Sequence, residues 1–291
     1  MHLFIGWVVL SIILFMLASM ERYADSVFRT LCYRHGADLT FTEMTHVESL
    51  LRGNRGSLEK VRARDATPVQ VQVLTSSEAK FTRFLSGFEA FEGFMGFNLN
   101  LSCPSRDVIR RGKGAAMVKR GAKAQRLVSL IRDFGFPVSV KIRLGLSRLE
   151  KDNKLYLNSI RGVDPDFFVV HAKHAGQGSD EAEDYNVFPE CVEEAGGVPV
   201  IANGGIDSVE KVRLLLGMGV GGVMIGRAAL ADPGVFDLFK NEVGVNVPAR
   251  VVPGVDELRA EYGLIYDMLG GDERYRVNFH RALGKKAGVR Y

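Results

Sequence analysis

Cysteine is scarce in this chain of 291 residues, and its spacing closes off two roles. Cys32, Cys103 and Cys191 are an odd number, with no C-x-x-C pair and no cysteine–histidine cluster. That argues against a disulfide framework and a zinc site, so we expect no metal and a reducing, cytoplasmic setting. Net charge is also small: 38 Lys and Arg against 34 Asp and Glu leave +4. No G-x-G-x-x-G follows the first apolar run, which removes the main sign of a dinucleotide-binding open sheet. Nor is there a full-length membrane run. Residues 3–18 carry Ser11 as their one polar side chain, but they are shorter than the ~20 residues a span needs, and no Lys or Arg precedes them. We read a buried strand at 12–17. A membrane segment or a misassigned start is the competing reading.

What is present is repetition. Valine- and isoleucine-rich runs at 12–17, 39–42, 69–74, 96–101, 138–142, 167–170, 198–202 and 223–225 alternate with amphipathic stretches at 25–35, 79–91, 116–134, 156–161, 188–195 and 208–216. Strands joined by crossover helices make a parallel sheet, and eight of them close into a (β/α)8 TIM barrel. We therefore predict an α/β barrel over 1–245 and a small helical C-terminal extension over 246–291. Charge is uneven along this frame. Residues 106–126 hold eight Lys or Arg and one Asp, and 274–290 hold six basic residues and no acidic one, whereas 180–194 is acidic. Such asymmetry suits a polyanionic partner, although a charge run also serves as a solvated face.

In a barrel of this kind, function gathers at the C-terminal strand ends. One strand runs out in "NLNLSCPS", with Asn98 and Asn100 facing one side and Leu99 and Leu101 the other. Pro104 stops the strand and leaves the Cys103 thiol at its tip. From the residues alone that thiol is open to several roles: disulfide partner, metal ligand, nucleophile, proton donor or none. Two late segments read together as an anion site. They are Asn203, Gly204 and Gly205 in "IANGGI", and Gly226 and Arg227 in "VMIGRAAL", each at a strand end before a helical run. Glycine lets backbone N–H groups crowd a phosphate, and a helix N-terminus adds partial positive charge, although either segment alone is also an ordinary turn. Lys141 and Arg143 alternate in "VKIRLG", so both share a face opposite Ile142, where charge is costly unless it meets an anion or an electron-rich ligand. His171 closes "VVHAKH" on the same rim, and Gln72 and Asn100 add amides able to meet a heteroaromatic edge. A phosphate near the last two strands, with polar side chains on the middle ones, outlines flavin mononucleotide (FMN).

In order and spacing, "LASMERYADSVFR", "GADLTFTEM", "VQV", "NLNLSCPS", "GKGAAM", "VKIRLG", "VHAKH", "IANGGI" and "VMIGRAALADPGVF" resemble the tRNA-dihydrouridine synthases over residues 17–236. These are flavoproteins, oxidoreductases of tRNA processing. The resemblance implies that NADPH reduces bound FMN, that hydride passes to C6 of a uridine in tRNA, and that Cys103 protonates C5 as general acid. It implies flavin contacts at Met20, Gln72, Lys141 and His171, phosphate contacts at Asn203, Gly204, Gly226 and Arg227, and a substrate contact at Asn100. A thiol with an ordinary pKa near ~8.5 is mostly protonated at neutral pH, as an acid must be. Arg106, Arg110, Arg111 and Lys113 follow Cys103 directly and, with Arg143, are expected to meet RNA, whose target base must swing out. Arg52, Arg55, Arg62, Arg64 and the basic C-terminus extend that footprint. The chain departs from the family pattern at Ser19, Thr75, Ser102 and Lys173, and its C-terminal part is short beside that of bacterial members. "SCP" is also reminiscent of dihydroorotate dehydrogenases, so an FMN oxidoreductase of a free pyrimidine or another small molecule is the second expectation. The sequence leaves open the uridine position, NADPH against NADH, and the oligomeric state.

Overall fold

The valine- and isoleucine-rich runs pair side by side, all in parallel, in a computed structural model that describes residues 13–285. The strands are β1 (Leu14–Leu17), β2 (Thr40–Phe41), β3 (Thr45–His46), β4 (Val69–Leu74), β5 (Phe94–Leu101), β6 (Val138–Arg143), β7 (Phe168–His171), β8 (Val200–Asn203) and β9 (Gly222–Ile225). They pair in the order β1-β9-β8-β7-β6-β5-β4-β2, with β3 also on β4. Thus β2 and β3 are two halves of one barrel strand, interrupted at 42–44. The ring closes where Met16 bridges Leu39. The Leu17 N–H donates to the Leu39 carbonyl at 2.9 Å, and the Asp38 N–H to the Phe15 carbonyl at 2.7 Å. The protein is a (β/α)8 barrel with C-terminal helices, as the sequence predicts.

Side-chain alternation divides the strands into two layers. Met16, Phe41, Val169, Ile201 and Met224 fill the barrel interior, while Phe15, Leu17, Val71, Leu99, Val140, Val170 and Ile225 point outward and lie under the helices. The helix Ser26–Arg34 is capped by Asp25, which accepts from the Phe28 N–H at 3.0 Å. Gly121–Asp133 buries Ala124, Leu127, Val128 and Ile131, the one-faced spacing of an amphipathic helix.

Two helices differ from the sequence reading. The apolar pattern over 79–91 predicts one helix, yet the helix is Glu78–Leu85. Phe88 and Phe91 keep a helical spacing but leave the helix after Gly87 to pack on Phe94, Phe97 and Phe136, with the Phe88 and Phe97 rings 4.8 Å apart. The stretch 116–134 divides into a short 3-10 turn, Gly114–Met117, and the helix Gly121–Asp133. Most of the apolar N-terminal segment, residues 3–12, lies outside the described residues, and the remainder enters the barrel as β1. No helix among the described residues is long and apolar enough to cross a membrane.

After β9 the chain is helical, ending in Val255–Leu269 and Glu273–Ala282. These last helices dock on Ser26–Arg34: Phe279 stacks on Tyr262 at 3.9 Å and meets Phe28 at 5.9 Å. The Tyr275 hydroxyl donates to the buried Glu43 carboxylate at 2.7 Å, beside the barrel rim.

Candidate active site

A cavity of about 340 Å³ opens at the C-terminal end of the barrel. Its wall brings together Met20, Gln72, Asn100, Cys103, Lys141, Arg143, His171, Asn203, Gly204, Gly205, Gly226 and Arg227. These residues come from strand ends spread along the chain, and only closure of the barrel makes them neighbours.

Cys103 sits on this wall, held from below. Its backbone N–H and that of Ser102 both donate to Asn100 Oδ1 at 2.9 Å. Asn100 Nδ2 donates to Gln72 Oε1 at 2.8 Å, Gln72 Nε2 to Asn98 Oδ1 at 2.8 Å, and Asn98 Nδ2 to Ser139 Oγ at 2.7 Å. Ser139 then donates to Gln70 Oε1 at 2.5 Å, and Gln70 Nε2 to the Met95 carbonyl at 3.2 Å. Every donor in this buried ladder points the same way, so each bond polarises the next. The other side of the loop is fixed by Gly114, whose φ of +56° suits glycine. A Cβ there would lie 2.7 Å from the Cys103 carbonyl oxygen and 3.0 Å from its Cβ. Burial pushes the Cys103 thiol up from its ordinary pKa, against smaller opposing pulls from the Ser105 N–H and Arg143. The thiol is kept protonated.

Basic side chains stand beside Cys103 on this wall. Lys141 is buried and lowered to about 7, first by burial and then by Arg143 beside it. Among the described residues it has no carboxylate partner. His171 is driven well below its usual range by burial and by Lys141, so it is neutral. Arg143 Nε donates to the Ser102 carbonyl at 2.9 Å and braces the cysteine loop. Asn203 Nδ2 donates to the Met224 carbonyl at 2.8 Å and ties β8 to β9. Gly204 and Gly205 have φ of +118° and +54°, and against them lies the carboxylate of Glu183. The helix that begins at Arg227 has five residues, too short for a strong dipole, so anion attraction there falls to the Arg227 side chain.

The basic run lies outside the cavity. Arg106, Arg110 and Arg111 are exposed beside the cysteine loop, with Arg110 paired to Asp107 at 2.5 Å. Lys113 differs: it is buried and bonded to both Glu48 oxygens at 2.8 and 2.7 Å, which takes it out of the exposed face. Lys119 and Arg126 are also paired, with Glu150 and Glu78. Arg64 is turned toward the C-terminal helices, where it donates to the Leu269 carbonyl at 2.9 Å. Lys286 and Arg290 fall outside the described residues. Among the described residues, no group of three or more His, Cys, Asp or Glu is placed to hold a metal ion.

Sequence reasoning placed Met44 at a strand tip, and it lines the wall; it missed Glu21 and Asp207 there, and Glu183 packed against the Gly204–Gly205 turn. It also passed over Gln70 and Ser139, although "VQVQV" and "VSVKIR" carried the signal: polar side chains two apart share the inward face of a strand.

A family model for dihydrouridine synthase (Dus) matches residues 16–284, nearly all of the described chain. The chain belongs to the dihydrouridine synthase family. It is 29% identical to tRNA-dihydrouridine synthase B of Pseudomonas putida over 252 residues, which is 84% of this chain and 74% of that one. It is 30% identical to probable tRNA-dihydrouridine synthase 2 of Bacillus subtilis over 234 residues, 77% of this chain and 71% of the relative. A probable tRNA-dihydrouridine synthase of Aquifex aeolicus is 28% identical over 239 residues, 79% and 74% of the two chains. The family model therefore runs from within β1 to the end of the last helix.

Proposed function

We propose that this enzyme is a tRNA-dihydrouridine synthase, reducing the 5,6 double bond of particular uridines in tRNA. Bound FMN, reduced by NADPH, supplies the hydride that reaches C6. The donor set fits that group: Lys141 is a buried amine with no carboxylate partner among the described residues, Gln72 and Asn100 are amides at the cavity wall, and the Gly204–Gly205 turn lies against a carboxylate that marks it as an anion site. Asn203, Gly204, Gly205, Gly226 and Arg227 would take the phosphate, and Met20, Gln72, Lys141 and His171 the ring system.

The observation that carries the reading is the protonated thiol of Cys103 on the same wall as that donor set. Saturating the double bond needs a proton on C5 as well as hydride on C6. Cys103 gives its proton to C5 and becomes a thiolate, which the positive charge of Arg143 and Lys141 stabilises and solvent reprotonates. Arg143 and the Asn100 ladder hold the loop while this happens. Exposed Arg106 and Arg111, with Arg110 between them, lie where RNA phosphates would approach.

Mapping dihydrouridine in tRNA from cells with and without the gene tests substrate and position together. Cys103→Ala should still bind flavin and oxidise NADPH but form dihydrouridine about 100-fold or more slowly. Wild-type dihydrouridine levels in that variant would refute the acid role.

A further inference from the structure

The glycine-bearing turn after β8 lines the cavity, and the side on which its glycines lack a Cβ is taken by an acidic side chain of the chain itself. A Cβ on Gly204 would lie 2.8 Å from Glu183 Cγ, and one on Gly205 would lie 2.7 Å from Glu183 Cδ. The Glu183 carboxylate is 3.0 Å from Lys173 Nζ, which is buried, and 4.0 Å from the Arg227 guanidinium. The same two cations hold the loop that carries Glu183. Lys173 Nζ donates to the Gly178 and Ser179 carbonyls at 3.2 and 3.1 Å, and Arg227 to the Ser179 carbonyl at 3.2 Å. The base of the loop is closed separately, by the Asp184 N–H on the Ala172 carbonyl at 2.9 Å and the Tyr185 hydroxyl on the Gly204 carbonyl at 2.7 Å. Residues 178–182, between, are exposed and have no regular structure.

We propose that Glu183 is an internal anion occupying one side of the phosphate cradle, and that the flavin phosphate must displace it, swinging residues 177–183 outward while Ala175 and Gly176 stay bonded to the Gly145 and Leu146 carbonyls. This rests on the FMN reading. The charge balance favours the exchange, and Lys211, which donates to the Gly205 carbonyl, is already neutralised by Asp207. Lys173 and Arg227 supply two positive charges and Glu183 one negative. A phosphate monoester near pH 7 adds nearly two more negative charges, along with oxygens that need the donors Glu183 now occupies. Both anions in one cradle would repel each other beside the buried Lys173. Glu183 thereby sets cofactor specificity: it weakens every ligand that brings a phosphate and leaves untouched one that does not.

The experiment compares FMN with riboflavin, which lacks the phosphate. Dissociation constants are read from flavin fluorescence quenching on the full chain stripped of cofactor, wild type and Glu183→Gln. The variant should bind FMN about tenfold tighter and riboflavin within about twofold of wild type. On the wild-type protein alone, FMN should speed amide hydrogen exchange in residues 177–183, and riboflavin should not, so a variant that fails to fold still leaves a decisive measurement. An unchanged FMN-to-riboflavin ratio, or weaker FMN binding by Glu183→Gln, overturns the proposal and leaves the flavin reading standing. Failure of both flavins to bind wild type and variant overturns the flavin reading and this one with it.

Discussion

Lys141 shows how one residue's surroundings set its chemistry. An ordinary lysine titrates near ~10.5, but burial holds this one to about 7, so in the empty protein near pH 7 roughly half the molecules carry it neutral. With the folded value below the unfolded one, the empty fold gains stability as pH rises from about 7 towards ~10.5 and loses it as pH falls back through 7. An electron-rich ligand against Lys141 reverses the bias and recharges it. Flavin binding at pH 7 should therefore take up about half a proton, measured by calorimetry in buffers of different ionisation enthalpy. In Lys141→Met the uptake should vanish. Equal uptake in that variant, or none in the wild type, would show that Lys141 does not face the ligand.

At the scale of elements, the inward faces of β4, β5 and β6 matter more than any one residue on them. Gln70, Gln72, Asn98, Asn100 and Ser139 form one ladder from the Met95 carbonyl to the Cys103 backbone. Asn98 is its middle rung and does not itself line the cavity; it joins Gln72, which does, to Ser139. Asn98→Leu keeps the size but strands the Gln72 amide in a buried site, which should cost about 1–3 kcal/mol in urea unfolding and loosen the cysteine loop above it. A loss below about 0.5 kcal/mol would mean the ladder does not hold the strands in register. Period-two alternation made these residues readable as inward-facing. That they bond end to end depends on strand register, with Gln72 opposite Asn98 and Asn98 opposite Ser139, which no single strand specifies.

Over the whole molecule, two surfaces decide what the site can receive. The C-terminal helices share the barrel's core through Leu258, Tyr262, Ile265 and Phe279, so they are built onto the rim and not tethered to it. The basic face beside Cys103 is smaller than its sequence suggests, because Lys113, Lys119 and Arg126 are taken up by carboxylates. Arg106 and Arg111 are exposed and make no ion pair among the described residues. Converting both to glutamate should weaken tRNA binding and reduce the slope of log affinity against log salt by about one for each lost phosphate contact. Lys113→Ala should leave that slope alone and lower thermal stability, because it removes Glu48's buried, two-bond partner and leaves only the exposed Lys80 at 3.9 Å. An enzyme acting on a free pyrimidine would show none of this at the arginines, so an unchanged salt dependence would favour that reading.

The sequence by itself determined the strands, their parallel repetition and the polar residues at their tips, because period-two alternation and glycine or proline at strand ends are local properties. It also marked Cys103 as a tip residue. Only the tertiary structure decided which tips meet, that Lys113 is buried against Glu48, that Phe88 and Phe91 leave their helix, and that Glu183 packs against the glycine turn. These depend on contacts between segments brought together when the barrel closes, Phe136 against Phe88 among them, and local pattern carries no record of such partners.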